Sequence, residues 1–309
     1  MKHITAIKNK KFKWIIIDKP SKKSIDWLGS NFKFAKQDLN DCLPPTQRPK
    51  LIDRGDYLFM ILLFPFYNRQ KKEIQASEID LFINNEYVIL IHNNNLMPIL
   101  EFQQECETNA IAREMFMADG SKLIYELLNR LLHYCFPMLN HINQDIDEIE
   151  AEILDVHKGK THIIYEILFI KRNIVNFRKI MQAHKSVMSK LIKTSEKFFP
   201  PEYLQNYFIN LVNHTKDIWD FLENYKDTIN ALHSTHESLL SNRLNQIIKT
   251  LTIFSVIVFP LTLLAAIFGM NTMNSMPFVD SPHDFWLVVG VMGVGTVAML
   301  IFFKVKRWL

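Results

Sequence analysis

Two long uncharged segments constrain this chain more than any other feature of its sequence. Thr250 to Val279 contains 30 consecutive residues without Asp, Glu, Lys, Arg or His, and Phe285 to Phe303 contains another 19. A helix needs about 20 apolar residues to cross a hydrocarbon layer about 30 Å thick. The sequence therefore predicts two membrane-spanning helices, which we assign to residues 247–270 and 285–303.

The charges around these segments predict their orientation. Four basic residues flank them on one side: Lys249, Lys304, Lys306 and Arg307. The connection over residues 271–284 carries Asp280 and Asp284 but no basic residue. Because short cytoplasmic segments are enriched in Lys and Arg, we expect a multi-pass protein of the inner cell membrane. Both termini and the basic tail over 304–309 would be cytoplasmic, and the connection would be extracytoplasmic.

Composition and motifs argue against several other classes. With 36 Lys and Arg against 32 Asp and Glu, the net charge of +4 is too balanced for a dedicated nucleic-acid binder. Cys42, Cys106 and Cys135 are odd in number and lack a CxxC spacing, which argues against a disulfide framework or a thiolate zinc site. The sequence has no GxxxxGK[ST] loop and no HExxH motif, so it supports neither an enzyme nor a resident cofactor.

The remainder of the chain is expected to be soluble. Short β-rich runs predict strands over 13–18, 57–64, 78–83 and 87–92, although the run at 57–67 also suits a short core helix. Apolar residues spaced by three and four then predict long helices, including one over 161–199. We assign 1–96 to an α/β domain, 97–200 to a helical region and 201–246 to a stalk helix. The predicted fold class is an α+β domain followed by long helices and two membrane helices.

A single helix is predicted to connect the soluble part to the membrane. No proline or glycine occurs between Glu202 and Pro260, so the helix can run without interruption to about Phe268. The cytoplasmic part of this helix is rich in Asn and Ser, and such a polar helix is unstable alone in water. We therefore expect it to pack against neighbours in an oligomeric bundle.

One face of the first membrane segment carries hydroxyl and small residues. Steps of four and three connect Ile248, Thr252, Ser255, Phe259, Thr262, Ala266 and Gly269. This spacing forms a stripe along one side of a helix. The stripe can line a pore, but small and hydroxyl residues also pack helices together in lipid, and this pattern alone favours the packing interpretation.

The residues that follow the stripe carry a specific resemblance. Gly269-Met270-Asn271 ends the first of two C-terminal segments, Pro260 to Thr262 reads Pro-Leu-Thr, and the chain ends Lys-Arg-Trp-Leu. Upstream, three further segments are similar: Glu78 to His92, Ile142 to Leu154, and the basic residues around Asn173 and Phe177. In this two-segment arrangement the triplet resembles that of the CorA family of magnesium transporters, and the likeness covers most of the chain.

The resemblance implies a funnel-shaped homopentamer in which the first membrane helix of each subunit lines a central pathway. It implies an outer selectivity ring at Gly269, Met270 and Asn271. The positions implied to line the pore, together with Ser255 of the stripe, are Asn245, Ile248, Leu251, Thr252, Phe259 and Thr262. Mg²⁺ would be the transported ion and a possible regulator.

The chemistry of Mg²⁺ is consistent with such a ring. The ion is small and loses its water ligands reluctantly, so amide and carbonyl oxygens can recognise it through its coordinated waters. Ile248, Leu251 and Phe259 would form apolar rings that block ions by dewetting when the helices close. The membrane potential supplies about 2.3 kcal/mol per charge per 100 mV, so no ATP is required.

Acidic residues outside the stripe have less certain roles. Asp280 and Asp284 can attract cations to the pore mouth, although Met276-Pro277-Phe278-Val279 departs from the family's usual loop. The resemblance implies a regulatory cytoplasmic Mg²⁺ site with an aspartate on the long helix, where this chain has Asn210. Glu78 and Asp80 are candidate partners for Asn210. The acidic residues between 145 and 155 are interpreted mainly as a solvated helix face.

Two alternatives to Mg²⁺ uptake remain open. The first is a related transporter that prefers Co²⁺, Ni²⁺ or Zn²⁺, either as an importer or as an exporter. The second is a non-conducting membrane anchor whose long helices bind a protein partner. Ion flux through liposomes that contain only this protein separates the anchor from either transporter.

Overall fold

The computed structural model describes residues 3–154, 162–200, 204–270 and 283–308. The chain divides into two compact units, Met1–His233 and Ser234–Leu309, which are described separately below. Cys42, Cys106 and Cys135 are buried and free, which confirms the prediction that they form no disulfide framework.

A six-stranded sheet forms the centre of the first unit. Its strands are β1 (Ile4–Asn9), β2 (Phe12–Asp18), β3 (Lys50–Asp53), β4 (Leu58–Asn68), β5 (Glu73–Ile83) and β6 (Tyr87–His92). Their order across the sheet is β1-β2-β6-β5-β4-β3. Only β2 and β6 pair in parallel, and the other neighbours are antiparallel. The predicted β5–β6 hairpin is confirmed, and the run that begins at Tyr57 is a strand rather than a helix.

Both faces of the sheet are buried, which explains the nearly continuous apolar runs in its central strands. In β2, Trp14 and Ile16 face one core while Ile15 and Ile17 face the other, as the two-residue period of a strand requires. The smaller core is closed by α1 (Lys22–Asn31) and α2 (Lys36–Asp41). The larger core extends into the helical part of the unit.

The helices on the larger core follow β6 in the chain. They are α3 (Met97–Thr108), α4 (Ala110–Phe116), α5 (Gly120–His133), α6 (Cys135–Leu154), α7 (Ile163–Met181) and α8 (His184–Thr194). Side chains of Asn109 and Asp119 cap the first turns of α4 and α5 by accepting backbone N–H bonds. Along α6, Ile142, Ile146 and Ile149 are buried while the carboxylates lie on the other faces, as the spacing predicted.

The prediction of one helix over 161–199 was wrong, because α7 ends at Met181 and α8 begins at His184. No proline or glycine marks this break. Its cause is tertiary: α7 packs against β4 and β5, whereas α8 packs against β3. His184 is fully buried at the start of α8, with its ring edge-on to Phe64 at 4.9 Å.

The longest helix, α9 (Ile209–Phe268), follows a short π-helical turn at Leu204–Phe208. It passes through Pro260 without ending, which confirms the predicted continuous helix and its end at Phe268. In its first 25 residues, Leu211, Ile218, Leu222 and Ile229 belong to the larger core of the first unit. This packing supplies part of the support that the polar helix was predicted to need.

The second unit contains the remainder of α9 and the final helix α10 (Asp284–Val305). Both helices are long and apolar enough to cross a membrane, with peak mean hydropathies of 2.5 and 2.3. The apolar side chains in these segments are largely exposed, and an apolar helix surface requires lipid or other helices around it.

Candidate functional site

The stripe predicted from the sequence lies on the apolar half of α9. Three large apolar side chains on or beside the stripe are strongly exposed: Phe259 at 70%, Leu251 at 63% and Ile248 at 60%. Asn245 and Thr262 are also exposed, whereas Thr252 and Ser255 are half-buried. In a membrane, this face must therefore contact lipid, water or other copies of the chain.

Hydroxyl groups give the stripe a polar character without charge. The Oγ1 of Thr252 donates to the Ile248 carbonyl at 2.8 Å, and that of Thr262 donates to the Val258 carbonyl at 2.9 Å. Each hydroxyl hydrogen is thus bonded within the helix, and the oxygen keeps lone pairs for another donor. Such oxygens can accept hydrogen bonds from the waters that surround a cation.

Pro260 interrupts the backbone hydrogen bonds in the middle of this segment. Proline has no N–H, so the Val256 carbonyl lacks its usual partner four residues later in the helix. The helix nevertheless continues for two further turns to Phe268. A tolerated proline of this kind is common in membrane helices, and we assign it no chemical role.

A small residue, Gly269, follows the end of α9. Gly269 N–H donates to the Ala265 carbonyl at 2.9 Å, and a Cβ at this position would lie 3.1 Å from the same oxygen. Met270 N–H donates to the Ile267 carbonyl, which closes the last turn. Asn271 and Asp280, predicted at the selectivity ring and the pore mouth, lie outside the described residues, as does the side chain of Asp284.

The residues predicted for a regulatory site occupy different environments. Asp80 is only 3% exposed, and its Oδ1 has no hydrogen-bond partner among the described residues. Glu78 is half-buried beside it and accepts a hydrogen bond from the Gln47 N–H at 2.8 Å. Asn210 is exposed, and its amide donates to the Asn206 carbonyl of its own helix.

The electrostatics of the carboxyl pair follow from this burial. Desolvation, followed by the neighbouring charge of Glu78, raises the pKa of Asp80 well above its usual range. Burial also raises the pKa of Glu78. When two carboxyl groups lie this close together, ionisation of one disfavours ionisation of the other. In the absence of a cation, the pair can therefore hold a proton.

Two further contacts were not predicted from the sequence. On α6 and α7, Glu152 and Glu166 approach the Nε2 of His162 at 3.7 and 3.3 Å. In the second unit, the Lys249 ammonium donates to the Arg307 carbonyl at 3.2 Å. The sequence analysis used Lys249 and Arg307 only as orientation charges, because residues 58 positions apart show no pairing signal in one sequence.

Comparison with known proteins gives the family. The family model described as CorA-like Mg²⁺ transporter protein matches residues 9–307. The chain is 30% identical to the cobalt/magnesium transport protein CorA of Thermotoga maritima, over 91% of this chain and 79% of that protein. It is 20% identical to the divalent cation transporter CmaX of Pseudomonas aeruginosa, over 96% of this chain and 87% of that protein.

A solved structure agrees with this assignment at the level of the fold. The complete CorA magnesium transporter of Methanocaldococcus jannaschii matches with a TM-score of 0.83 at 21% identity, over 97% of this chain and 92% of that one. Its likeness confirms the predicted class, an N-terminal α/β domain followed by long helices and two C-terminal apolar helices. With a family match across nearly its whole length, the chain belongs to the CorA-like Mg²⁺ transporter family.

Proposed function

We propose that this chain is the subunit of a homopentameric channel that carries Mg²⁺ into the cytoplasm, driven by the membrane potential. The observation that carries the proposal is the exposed stripe on α9. Along this stripe, apolar side chains alternate with hydroxyl groups as far as Gly269. Five copies around one axis would cover this face and enclose a pathway. Family membership supports divalent-cation transport as the class of function.

Selection would occur where α9 ends. Asn271, with the backbone carbonyls of Gly269 and Met270, would form a ring of neutral oxygens that accept hydrogen bonds from the waters of hydrated Mg²⁺. Neutral oxygens bind a dication less tightly than carboxylates, so the ion can leave the ring again. Asp280 and Asp284 would raise the cation concentration at the pore mouth through their field.

Gating would occur deeper along the same face. Ile248, Leu251 and Phe259 would form constrictions that lose water when the helices approach one another. Asn245, Thr252, Ser255 and Thr262 would offer polar contacts between these constrictions. Binding of Mg²⁺ near Glu78, Asp80 and Asn210 would couple the cytoplasmic ion concentration to closure.

The proposed topology follows the distribution of charge. The soluble domains over 1–246 and the tail over 304–309 would lie in the cytoplasm. The helices over 247–270 and 285–303 would cross the inner membrane, and residues 271–284 would connect them outside. No nucleic acid or resident cofactor enters the proposal.

The test is Mg²⁺ flux into liposomes that contain only this protein. We expect an inside-negative potential to drive uptake, and Asn271→Ala to reduce it at least tenfold by removing the selecting amides. Asn274→Ala is the matched control, because it removes the same amide three residues further along. The molecular mass of the detergent-solubilised protein is measured beforehand to check for five copies. Unchanged flux in Asn271→Ala would refute the proposed ring.

A second candidate is transport of another dication. The name of the Thermotoga maritima relative includes cobalt as well as magnesium, which favours including Co²⁺. Competition in the same liposomes, with Mg²⁺ flux measured against added Co²⁺, Ni²⁺ or Zn²⁺, ranks the ions. Export would appear as flux that persists against the potential, and a non-conducting anchor would give no flux with any ion.

A further inference from the structure

Two distant parts of the second unit meet at the basic end of α10. The helix ends at Val305, and Lys306, Arg307 and Trp308 form a closing turn through backbone hydrogen bonds to Phe302, Lys304 and Phe303. The Lys249 ammonium donates to the Arg307 carbonyl at 3.2 Å. This bond uses one of the three N–H donors of Lys249 and leaves two for other acceptors.

The backbone of this turn is unusual for the residue it contains. Arg307 has φ of +57°, in the left-handed region that favours glycine. A residue with a Cβ adopts this conformation at an energetic cost, and glycine would make the same turn without it. Lys10, Lys19, Lys72 and Asn94 of the first unit adopt it too, so the conformation alone assigns no role to the guanidinium group.

The cationic side chains at this end have no nearby acidic partner within the described residues of the second unit. Lys304, Lys306 and Arg307 are exposed, and Lys249 is half-buried beside them. Among the described residues of the second unit, the acidic residues are Glu237 and Asp284, 12 positions before Lys249 and 20 before Lys304. At about 1.5 Å per helical residue, these separations are roughly 18 and 30 Å. Both exceed the Debye length of about 8 Å at physiological salt.

The same turn carries an aromatic residue suited to a membrane interface. Trp308 stacks on Phe303 with ring centroids 5.8 Å apart and an interplanar angle of 25°. Tryptophan is enriched at the level of the lipid headgroups, where its ring lies between hydrocarbon and water. The proposed topology puts this turn at the cytoplasmic leaflet. A ligand of these cationic side chains must therefore be anionic and must be present at the level of the lipid headgroups.

We infer that Lys249, Lys304, Lys306 and Arg307 bind the headgroup of an anionic phospholipid. Arg307 can hold a phosphate oxygen pair with its fork of N–H donors, while the lysines act as point charges around it. The inference rests on the proposed topology but not on the occurrence of ion flux.

The simpler explanation is that these residues only fix orientation and stabilise the C-terminus of α10. Basic residues are favoured in both roles. Neither role requires a particular headgroup or a fixed stoichiometry. Selective and saturable retention of an anionic lipid therefore distinguishes a site from general positive charge.

The test is lipid retention by the full-length protein in detergent. The protein is equilibrated with equal amounts of phosphatidylglycerol and phosphatidylcholine, and the lipids retained per subunit are counted by native mass spectrometry. We expect a preference for phosphatidylglycerol that saturates. Each lost charge should weaken this preference by about fivefold, since a basic residue near the surface contributes about 1 kcal/mol.

The most informative variant is Arg307→Gly. It removes the guanidinium but relaxes the backbone and keeps the carbonyl that accepts from Lys249, so the fold should persist with equal or higher melting temperature. We expect it to lose the lipid preference, and Lys249→Gln with Arg307→Gly to lose it further. Arg307→Lys should keep most of the preference. Lys33→Gln with Lys36→Gln removes two exposed charges from the first unit and should change nothing.

Equal retention of the two lipids by the unaltered protein would overturn the inference. So would an unchanged preference in the Arg307→Gly and Lys249→Gln double variant. Because retention is measured without any ion gradient, its failure is separable from a failure of the proposed function. Loss of flux with intact lipid preference would contradict the channel proposal alone.

Discussion

Asp38 illustrates how strongly a single buried carboxylate can matter in this fold. Its side chain is fully buried and accepts hydrogen bonds from Arg54 Nε at 2.9 Å and from the Tyr57 hydroxyl at 2.7 Å. Removing one partner of a buried ion pair leaves the other charge uncompensated and costs about 3–5 kcal/mol. We expect Asp38→Ala to lower the free energy of unfolding by about 3 kcal/mol, measured by urea titration with tryptophan fluorescence in detergent.

Asp38→Asn serves as the control for this prediction. Its amide oxygen occupies the same volume and can still accept one bond, from Arg54 or from Tyr57. The loss should therefore be smaller than in Asp38→Ala. If both variants unfold at the same urea concentration as the original protein, the network contributes nothing to stability.

Asp80 is also buried, but its surroundings favour the protonated form of the carboxyl group. Burial and the neighbouring Glu78 raise its pKa, so the folded protein keeps a proton that the unfolded chain releases above about pH 4. The unfolded state then binds fewer protons, and stability falls as pH rises until the folded pKa is passed. Asp80→Asn removes this titration. We expect its stability advantage over the original protein to grow as pH rises from 4 to 7.

Melting temperatures of the two proteins at several pH values measure this difference. Asparagine keeps the size of the side chain but does not titrate. A stability difference that stays constant with pH would mean that Asp80 ionises equally easily in both states. Asp38 and Asp80 could not be distinguished from the sequence alone, because their difference depends on whether a cationic residue folds next to them.

At the scale of elements, helices with periodic apolar residues and longer apolar strands could be predicted from the sequence, whereas short strands without such a pattern could not. The β6 strand, the β5–β6 hairpin and the buried faces of α5 and α6 were all confirmed. β1 was not predicted, and its turn to β2 contains Lys10 at φ +54° rather than a glycine. β3 was missed because four residues carry too little pattern.

The break between α7 and α8 could not be predicted for a different reason. Local propensity favours a continuous helix through residues 182 and 183, and only packing on different strands divides it. In α9 the prediction was confirmed, because the helix continues through Pro260 to Phe268. Membrane helices tolerate such a residue, so sequence pattern alone describes their length well.

The exposed face of α9 makes a prediction at the same scale. Phe259 lies on the stripe and is 70% exposed, whereas Phe254 is 64% exposed about 140° around the helix at 100° per residue. If Phe259 forms a closed apolar ring, Phe259→Ala should widen it and raise Mg²⁺ leak in the closed state by about tenfold or more. Phe254→Ala removes the same ring toward lipid and should leave flux unchanged. Equal effects of both variants in liposomes would argue against this gate.

For the whole molecule, the class of function could be predicted from the sequence, whereas the oligomeric assembly could not. Two uncharged segments, their flanking charges and one triplet were sufficient for the family, whose members are ion transporters rather than enzymes. The proposed ion pathway depends on the face of α9 that is exposed in a single chain. The proposed five-fold association would be a property of several copies, and in a single sequence its only sign is a stripe that by itself favours helix packing over pore lining.

The direction of transport is a property of the assembled channel and gives the final prediction. A dication that enters down an inside-negative potential of about 100 mV gains about 4.6 kcal/mol, which corresponds to roughly two-thousand-fold accumulation at equilibrium. In liposomes loaded with K⁺, valinomycin sets this potential and an internal dye records Mg²⁺. With equal free Mg²⁺ on both sides of the membrane, we expect net uptake to stop when external K⁺ abolishes the potential and to reverse when its sign is reversed, without ATP. Uptake that ignores the potential would require a coupled mechanism, which a passive pore along α9 does not contain.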